Sequence, residues 1–365
     1  MSNKPRNNSE VRAEQVASKK YQTIKLGLDV HADSIVVVRI VENSAPQPAQ
    51  KFAPEKFLPW VKTQLAQAEV VHSCYEAGPF GFVLHRQLTE LGVKNLVAQP
   101  VCLDERRRNV NNDQRDAREL VQRLDRYVAG NPGALATVRV PTPEEEQRRI
   151  QSRQREQLRR EVHRVAAQGR SLLLSQGHRQ KGNWWQERCW AGLLRNLPGW
   201  LVQRLEVFRR MLAVLEQELQ AATAALEAQA PRCRPRGLGG LTHLILEAEV
   251  GRWSRFDNRR QVASYTGLCG GVSASGQYQQ LLSITKHGNV RLRTALIELA
   301  WRWVFWQPQC ALVRRWARVL YAPKGTRAAR KKAIVAIARQ LAVDLWRYHT
   351  GRVQPEQLGW VMGKA

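Results

Sequence analysis

Two aspartates stand three residues apart in "NNDQRDARELVQRL", at Asp113 and Asp116, where the pattern opens a helix. Two further carboxylates end apolar runs: Asp29 in "TIKLGLDV" and Glu76 in "EVVHSCYEA", just before Gly78–Pro79. Residues at i and i+3 share a helix face, so Asp113 and Asp116 can point into one pocket. Carboxylates brought together repel one another unless a cation joins them. Hard oxygen ligands with open positions suit Mg²⁺, with Mn²⁺ as the alternative. Two such ions, about 3.5–4 Å apart, can clamp the attacking and leaving oxygens of a phosphodiester. Taken alone, each acid has an ordinary explanation. Asp29 can cap a turn, Glu76 can be a surface residue, and the aspartate pair can simply suit the positive end of a helix dipole. Four of them at element ends on a very basic chain favour the metal site.

The elements that must position these acids form an α/β region over residues 21–142. "TIKLGLDV" and "SIVVVRIV" are β-branched runs joined by "HADS", a strand–turn–strand pattern. "PEKFLPWVKTQLAQ" predicts a helix, "EVVHSCYEA" a strand, "FGFVLHRQLTELG" a helix and "KNLVAQP" a short buried strand. Alternating strands and helices give a largely parallel sheet covered by helices. Its strand ends and helix starts gather at one edge, where ligands bind.

The chain has 365 residues, with 58 Lys plus Arg against 31 acidic residues, a formal net charge of +27. Such an excess implies a polyanionic partner, nucleic acid before an anionic membrane. No apolar run is long enough to span a bilayer. Residues 1–20 read as a disordered basic arm without a signal peptide's apolar core. Six cysteines form no CxxC pair and no zinc-like spacing with histidine. The expectation is reduced, mostly buried thiols in a zinc-free cytoplasmic protein.

Residues 143–230 are rich in Glu, Gln, Arg, Leu and Ala. Leu194, Leu197, Leu201, Leu205, Phe208, Leu212, Leu215 and Leu219 repeat at spacings of three and four, a heptad seam. With the more polar helix beginning at Pro143, this predicts an antiparallel coiled-coil hairpin, whose seam closes within the chain or between copies. Residues 231–365 form a third, mainly helical region, in which "GGVSASGQYQQ" reads as a Gly/Ser loop followed by a basic turn. In "ITKHGNVRLR", Lys286, His287, Asn289, Arg291 and Arg293 suit phosphate binding at a helix start. The glycines of "GLGGLTH" resemble the hairpin of helix-hairpin-helix modules, letting backbone amides approach phosphate. The tryptophans at 301, 303 and 306 read as core.

"GLDVHAD", "YEAGPFGF" and "NDQRDAREL", in that order, resemble the N-terminal domain of the DEDD insertion-sequence transposases. "GLGGLTHLILEAEVGRWSRFDNRRQVASYTGL", "SASG" and "ITKHGNVRLRTALIELAW" resemble the second domain of that family. The resemblance implies a ribonuclease-H-like (resolvase-like) first domain, with antiparallel leading strands and parallel later ones. It implies Asp29, Glu76, Asp113 and Asp116 as the metal-binding carboxylates. It implies a serine that bonds covalently to DNA, by motif position Ser275, with Ser273 as the alternative. It further implies a recombinase that excises and inserts its element, guided by a structured (bridge) RNA pairing with donor and target DNA. Dimers or tetramers in a bacterial or archaeal cell, associated with the nucleoid, follow from the same resemblance. The sequence departs from the family pattern in "GLCGG" and at Asn112, neither of which removes a catalytic group. Two other readings stand beside this one: a resolvase-type metal nuclease that only cuts, and a nucleic-acid-binding protein without activity.

Overall fold

A computed structural model describes residues 20–100, 112–275 and 278–363. The chain divides into two compact units, residues 1–140 and 141–365.

The first unit holds β1 (Tyr21–Val30), β2 (Ile35–Val41), β3 (Gln50–Phe52), α1 (Pro54–Gln67), β4 (Ala68–Glu76), α2 (Val83–Glu90), β5 (Lys94–Ala98) and α3 (Asp113–Val128). Its five-stranded sheet has the order β3-β2-β1-β4-β5. β2 pairs antiparallel with β1 and β3, while β1–β4 and β4–β5 are parallel. β2 is apolar on both faces because both faces are covered, whereas β1 is apolar on one. Ile24, Leu26 and Leu28 meet Phe57, Val61 and Leu88 on one side. Val36, Val38 and Ile40 meet Ala117 and Val121 of α3 on the other. The short edge strand β3 has no counterpart in the sequence expectation. Three residues with one intermediate side chain leave no alternation to read.

The second unit holds α4 (Pro143–Ser175), α5 (Glu187–Leu194), α6 (Gly199–Glu227), α7 (Gly240–Val250), α8 (Arg259–Thr266), β6 (Gly270–Ser275), β7 (Tyr278–Ile284), α9 (Val290–Trp306), α10 (Ala311–Leu320) and α11 (Arg327–His349). Thr142 and Glu145 start α4 with a reciprocal capping box, at 3.3 Å and 3.0 Å. Arg155 near the start of α4 bonds Thr223 near the end of α6, at 2.8 Å, so the two helices run antiparallel. The seam divides at Pro198. Leu194 belongs to α5 and is largely exposed, and Leu197 lies in the link. A residue ahead of proline avoids the helical region, which splits the run in two. Leu201, Leu205 and Leu212 of α6 pack with Val162, Val165 and Leu173 of α4 and with Trp184 and Trp190. The residual seam is thus covered from within the chain.

The segment read as a Gly/Ser loop is instead the antiparallel hairpin β6–β7. Val272, Tyr278 and Ile284 supply the strand-forming residues that its glycines and serines obscured. α10 is a further element that the sequence reading passed over. Of the tryptophans at 301, 303 and 306, only Trp303 is core. Trp301 and Trp306 are about half exposed, because α9 buries one stripe through Leu292, Leu296, Leu299 and Trp303. Among the described residues Cys74 and Cys310 are buried, Cys189 and Cys269 are intermediate, and Cys233 is exposed; Cys102 lies outside them. The basic arm also lies outside them, apart from Lys20. No helix among the described residues is long and apolar enough to cross a membrane.

Candidate functional site

The period-two alternation of β1 decides which of its side chains meet α3. Even-numbered residues face α1 and α2. Odd-numbered ones face α3, which runs opposite to β1. Lys25 bonds Asp125 at 2.5 Å near the end of α3. Gly27 lies under Ala117 and Val121, where an added methyl carbon would stand 2.3 Å from the Ala117 carbonyl oxygen. Asp29 therefore arrives at the first turn of α3, which carries Asp113 and Asp116. Asn112 starts that turn: its side-chain oxygen accepts from the Gln114 amide at 3.0 Å. The last β1–β4 pair is Leu28–Tyr75, so one further step in parallel register sets Asp29 beside Glu76. Cys74, two residues before Glu76, bonds the Leu120 carbonyl of α3, so Glu76 stands on the α3 face as well.

The sequence reading missed His31. Its Nε2 lies 3.1 Å from Asp29 Oδ2 and 3.6 Å from Asp113 Oδ2. A signal was present, since a histidine two residues beyond a strand-end aspartate returns to the same face. Burial pushes the Asp29 carboxyl above its ordinary value; His31 draws it back, and the charges of Asp113 and Asp116 push it up again. One ligand atom from each of Asp29, His31 and Asp113 lies within 4.8 Å of the others. A carboxylate raised by burial and by two neighbouring acids is the electrostatic setting that a divalent cation relieves. These residues fit such an ion.

Ser275 ends β6 opposite Tyr278, and Ser273 pairs with Gln280. Both serines are exposed, and a spacing of two puts them on one face of the hairpin. The basic turn after β7 interlocks with the end of α8. The Lys286 amide donates to the Gly267 carbonyl at 3.1 Å, and the Asn289 amide donates to the Tyr265 carbonyl at 2.9 Å. Gly288 sits at φ 139°, with Tyr265 O only 2.6 Å from where a Cβ would be. This contact accounts for glycine in "KHGN".

The residues singled out for phosphate binding divide into two groups. Lys286 and His287 are exposed. Asn289 and Arg291 serve an internal joint around Glu249, whose side chain is fully buried. Arg291 Nε donates to Glu249 Oε1 at 2.8 Å, Asn289 Nδ2 to Oε2 at 2.8 Å, and Arg153 Nη2 to Oε2 at 3.2 Å. Arg291 also reaches the Ser152 carbonyl at 3.1 Å. Burial works to raise the Glu249 pKa, but these bonds and charges more than offset it and hold it below the ordinary value. Arg293 donates to the carbonyls of Thr266 and Lys286, at 3.3 and 3.1 Å. It shapes the basic turn from beneath. Elsewhere, Arg232, Arg236, Arg302 and Trp306 line a shallow pocket beside the "GLGG" turn. Arg302 and Trp306 come from α9 and had no sequence link to that turn.

Residues 234–313 match the family described as Transposase IS116/IS110/IS902. The chain is similar to a Sinorhizobium fredii protein named transposase y4rJ, with 36% identity over 299 residues, 75% of this chain and 75% of the relative. The transposase for insertion sequence element IS1533 of Leptospira borgpetersenii is 24% identical over 76% of this chain and 85% of its own length. The transposase for insertion sequence element IS1111A of Coxiella burnetii is 34% identical over 142 residues, 36% of this chain and 35% of that relative.

Proposed function

The chain belongs to the IS116/IS110/IS902 family of insertion-sequence transposases, and from that premise we propose that it cuts and rejoins DNA through a serine–phosphate link, using divalent ions held by Asp29, Glu76, Asp113 and Asp116. The convergence of Asp29 and Asp113 on His31, with Asp116 close enough to perturb Asp29, carries this reading. The strand order, with two antiparallel pairings before two parallel ones, supports a ribonuclease-H-like first unit. Mg²⁺, or Mn²⁺, supplies charge stabilisation at the phosphodiester when bound.

The chain's own residues have separable roles. Asp29 and Glu76 are anchored to adjacent strands and give the site its rigid side. Asp113 and Asp116 come from one helix turn and close it. His31 bridges Asp29 and Asp113, holding their carboxylates to one orientation. Ser275 is the nucleophile. Its Oγ–P bond forms as a P–O bond to deoxyribose breaks; the hydroxyl proton departs, and the leaving oxygen takes up a proton. The phosphoserine link conserves the bond energy, so rejoining is the reverse attack and needs no ATP. Lys286 and His287 contact the DNA backbone near the hairpin, consistent with their exposure. A structured guide RNA pairing with donor and target DNA is the remaining part of the proposal, and the large positive charge supports a partner of this class.

A denaturing gel for a covalent protein–DNA band tests the proposal. Wild type, Ser275→Ala, Ser273→Ala and Asp113→Ala are compared with and without Mg²⁺ and cognate RNA. The band should require Ser275, Asp113 and metal, and survive Ser273→Ala. Metal-dependent cutting by Ser275→Ala without any adduct indicates a nuclease that only cuts. A wild-type reaction indifferent to RNA removes the guided part.

A further inference from the structure

Three residues of the second unit converge without serving the carboxylates or the serine hairpin. His243 and Glu247 lie one turn apart on α7 and so share a face. His349 closes α11. Its ring centroid lies 5.9 Å from that of His243, and its Nε2 lies 3.7 Å from Glu247 Oε1. One ligand atom from each of the three lies within 4.8 Å of the others. All three side chains are half-buried. Neither histidine has a hydrogen-bond partner for a ring nitrogen among the described residues, and 3.7 Å is too long to count as one.

The surroundings match what a metal ligand requires. Trp253 Nε1 donates to Glu247 Oε1 at 2.6 Å. The Trp253 ring also stacks on His349 at 5.1 Å and 3°. One residue therefore orients two of the three ligands, as outer partners of metal sites do. Tetrahedral zinc, with bonds of about 2.0–2.1 Å, sets neighbouring ligand atoms about 3.3 Å apart. The His349–Glu247 distance needs only a small contraction to reach that. Imidazoles favour zinc over Mg²⁺. Cys233 lines the same pocket as His243 and His349, outside the 4.8 Å group, and is the candidate for a fourth ligand. The neighbouring Arg234 turns its guanidinium to the carbonyls of Pro231 and Leu238. We propose that His243, Glu247 and His349 bind Zn²⁺, with Cys233 completing the set, so that the ion ties α7 and the end of α11 to the 231–235 segment. The ligands are spread from 233 to 349, which is why no short Cys/His spacing announced them.

The test uses untagged full-length protein stripped with chelator, in wild-type and Asp29→Asn/Asp113→Asn forms; the latter silences the other candidate cation site. Zn²⁺ is titrated in competition with a chromophoric chelator, and Co²⁺ is followed by visible absorption. One equivalent of zinc should bind in both forms. His243→Gln or His349→Gln should weaken it by about 100-fold or more, and Trp253→Phe by about 10-fold, as loss of an outer partner does. Tetrahedral Co²⁺ bands should appear with a thiolate charge-transfer band that Cys233→Ser removes. Absence of zinc uptake by the folded Asp29→Asn/Asp113→Asn protein overturns the proposal, as does equal affinity in His349→Gln. A cobalt spectrum unchanged in Cys233→Ser removes the cysteine. Should the histidine variants fail to fold, the Asp29→Asn/Asp113→Asn protein decides: bound zinc raises its unfolding temperature, and an unmoved melt overturns the site.

Discussion

Gly27→Ala perturbs the carboxylate site without touching a carboxylate. The new methyl carbon would stand 2.3 Å from Ala117 O, 2.5 Å from Val121 N and 2.8 Å from Val121 Cβ. Non-bonded carbon contacts settle near 3.5–4.0 Å, so α3 must withdraw by about 1 Å. Overfilling a packed interior in this way costs about 1–3 kcal/mol. Asp113 and Asp116 ride on α3, whereas Asp29 is anchored in β1. Mg²⁺ demands near-ideal octahedral geometry at about 2.0–2.1 Å, and a misplacement of about 1 Å costs on the order of 100-fold in rate. The assay is Mg²⁺-dependent strand cutting, measured below the unfolding temperature of each variant, with melts followed by circular dichroism. Asp125→Asn is the control. It removes the ion pair with Lys25 at the far end of α3 and leaves the first turn in position. It should lower stability yet keep cutting within a few-fold of wild type. A folded Gly27→Ala protein with the wild-type rate refutes the reasoning, and so does an Asp125→Asn protein that loses as much activity.

Glu249→Gln leaves the partly exposed Arg153 and Arg291 facing a neutral amide, and chemical denaturation should show a loss of about 1–3 kcal/mol. Asp344 is buried, and burial lifts its pKa above the ordinary 3.8, opposed by the Gln340 hydrogen bond and the Arg347 charge. Its folded pKa exceeds its unfolded one, so it costs stability at neutral pH, and that cost disappears as pH falls through the folded value. Asp344→Asn should therefore raise the unfolding temperature at pH 7, with the difference closing toward pH 4 in thermal melts. Lys286→Gln should weaken DNA binding at every sequence and lower the slope of log K against log salt by about 1, as measured by fluorescence anisotropy.

The carboxylates were legible in the sequence because each marks an element end. A strand stops where its apolar run stops, and a helix begins at a cap with acids in its first turn. Period two along β1 even carries Asp29 to the α3 face once Gly27 is seen to lie beneath that helix. The basic turn was legible as a motif, but its division of labour was not. Lys286 and Arg291 look alike in sequence. Only the buried carboxylate of Glu249, 42 residues away, separates a surface cation from an internal one. Trp301 and Trp303 differ by two positions on one helix, which is enough to turn one outward and the other into the core.

Local pattern, composition and charge determined most of the element types, the acids at their ends and the excess of positive charge, because these depend on neighbours in the chain. Tertiary structure alone decided the pairing of His31 with Asp29 and Asp113, the joint at Glu249 and the meeting of His243, Glu247 and His349. Those contacts depend on which faces the fold brings together, and chain spacing carries no record of them.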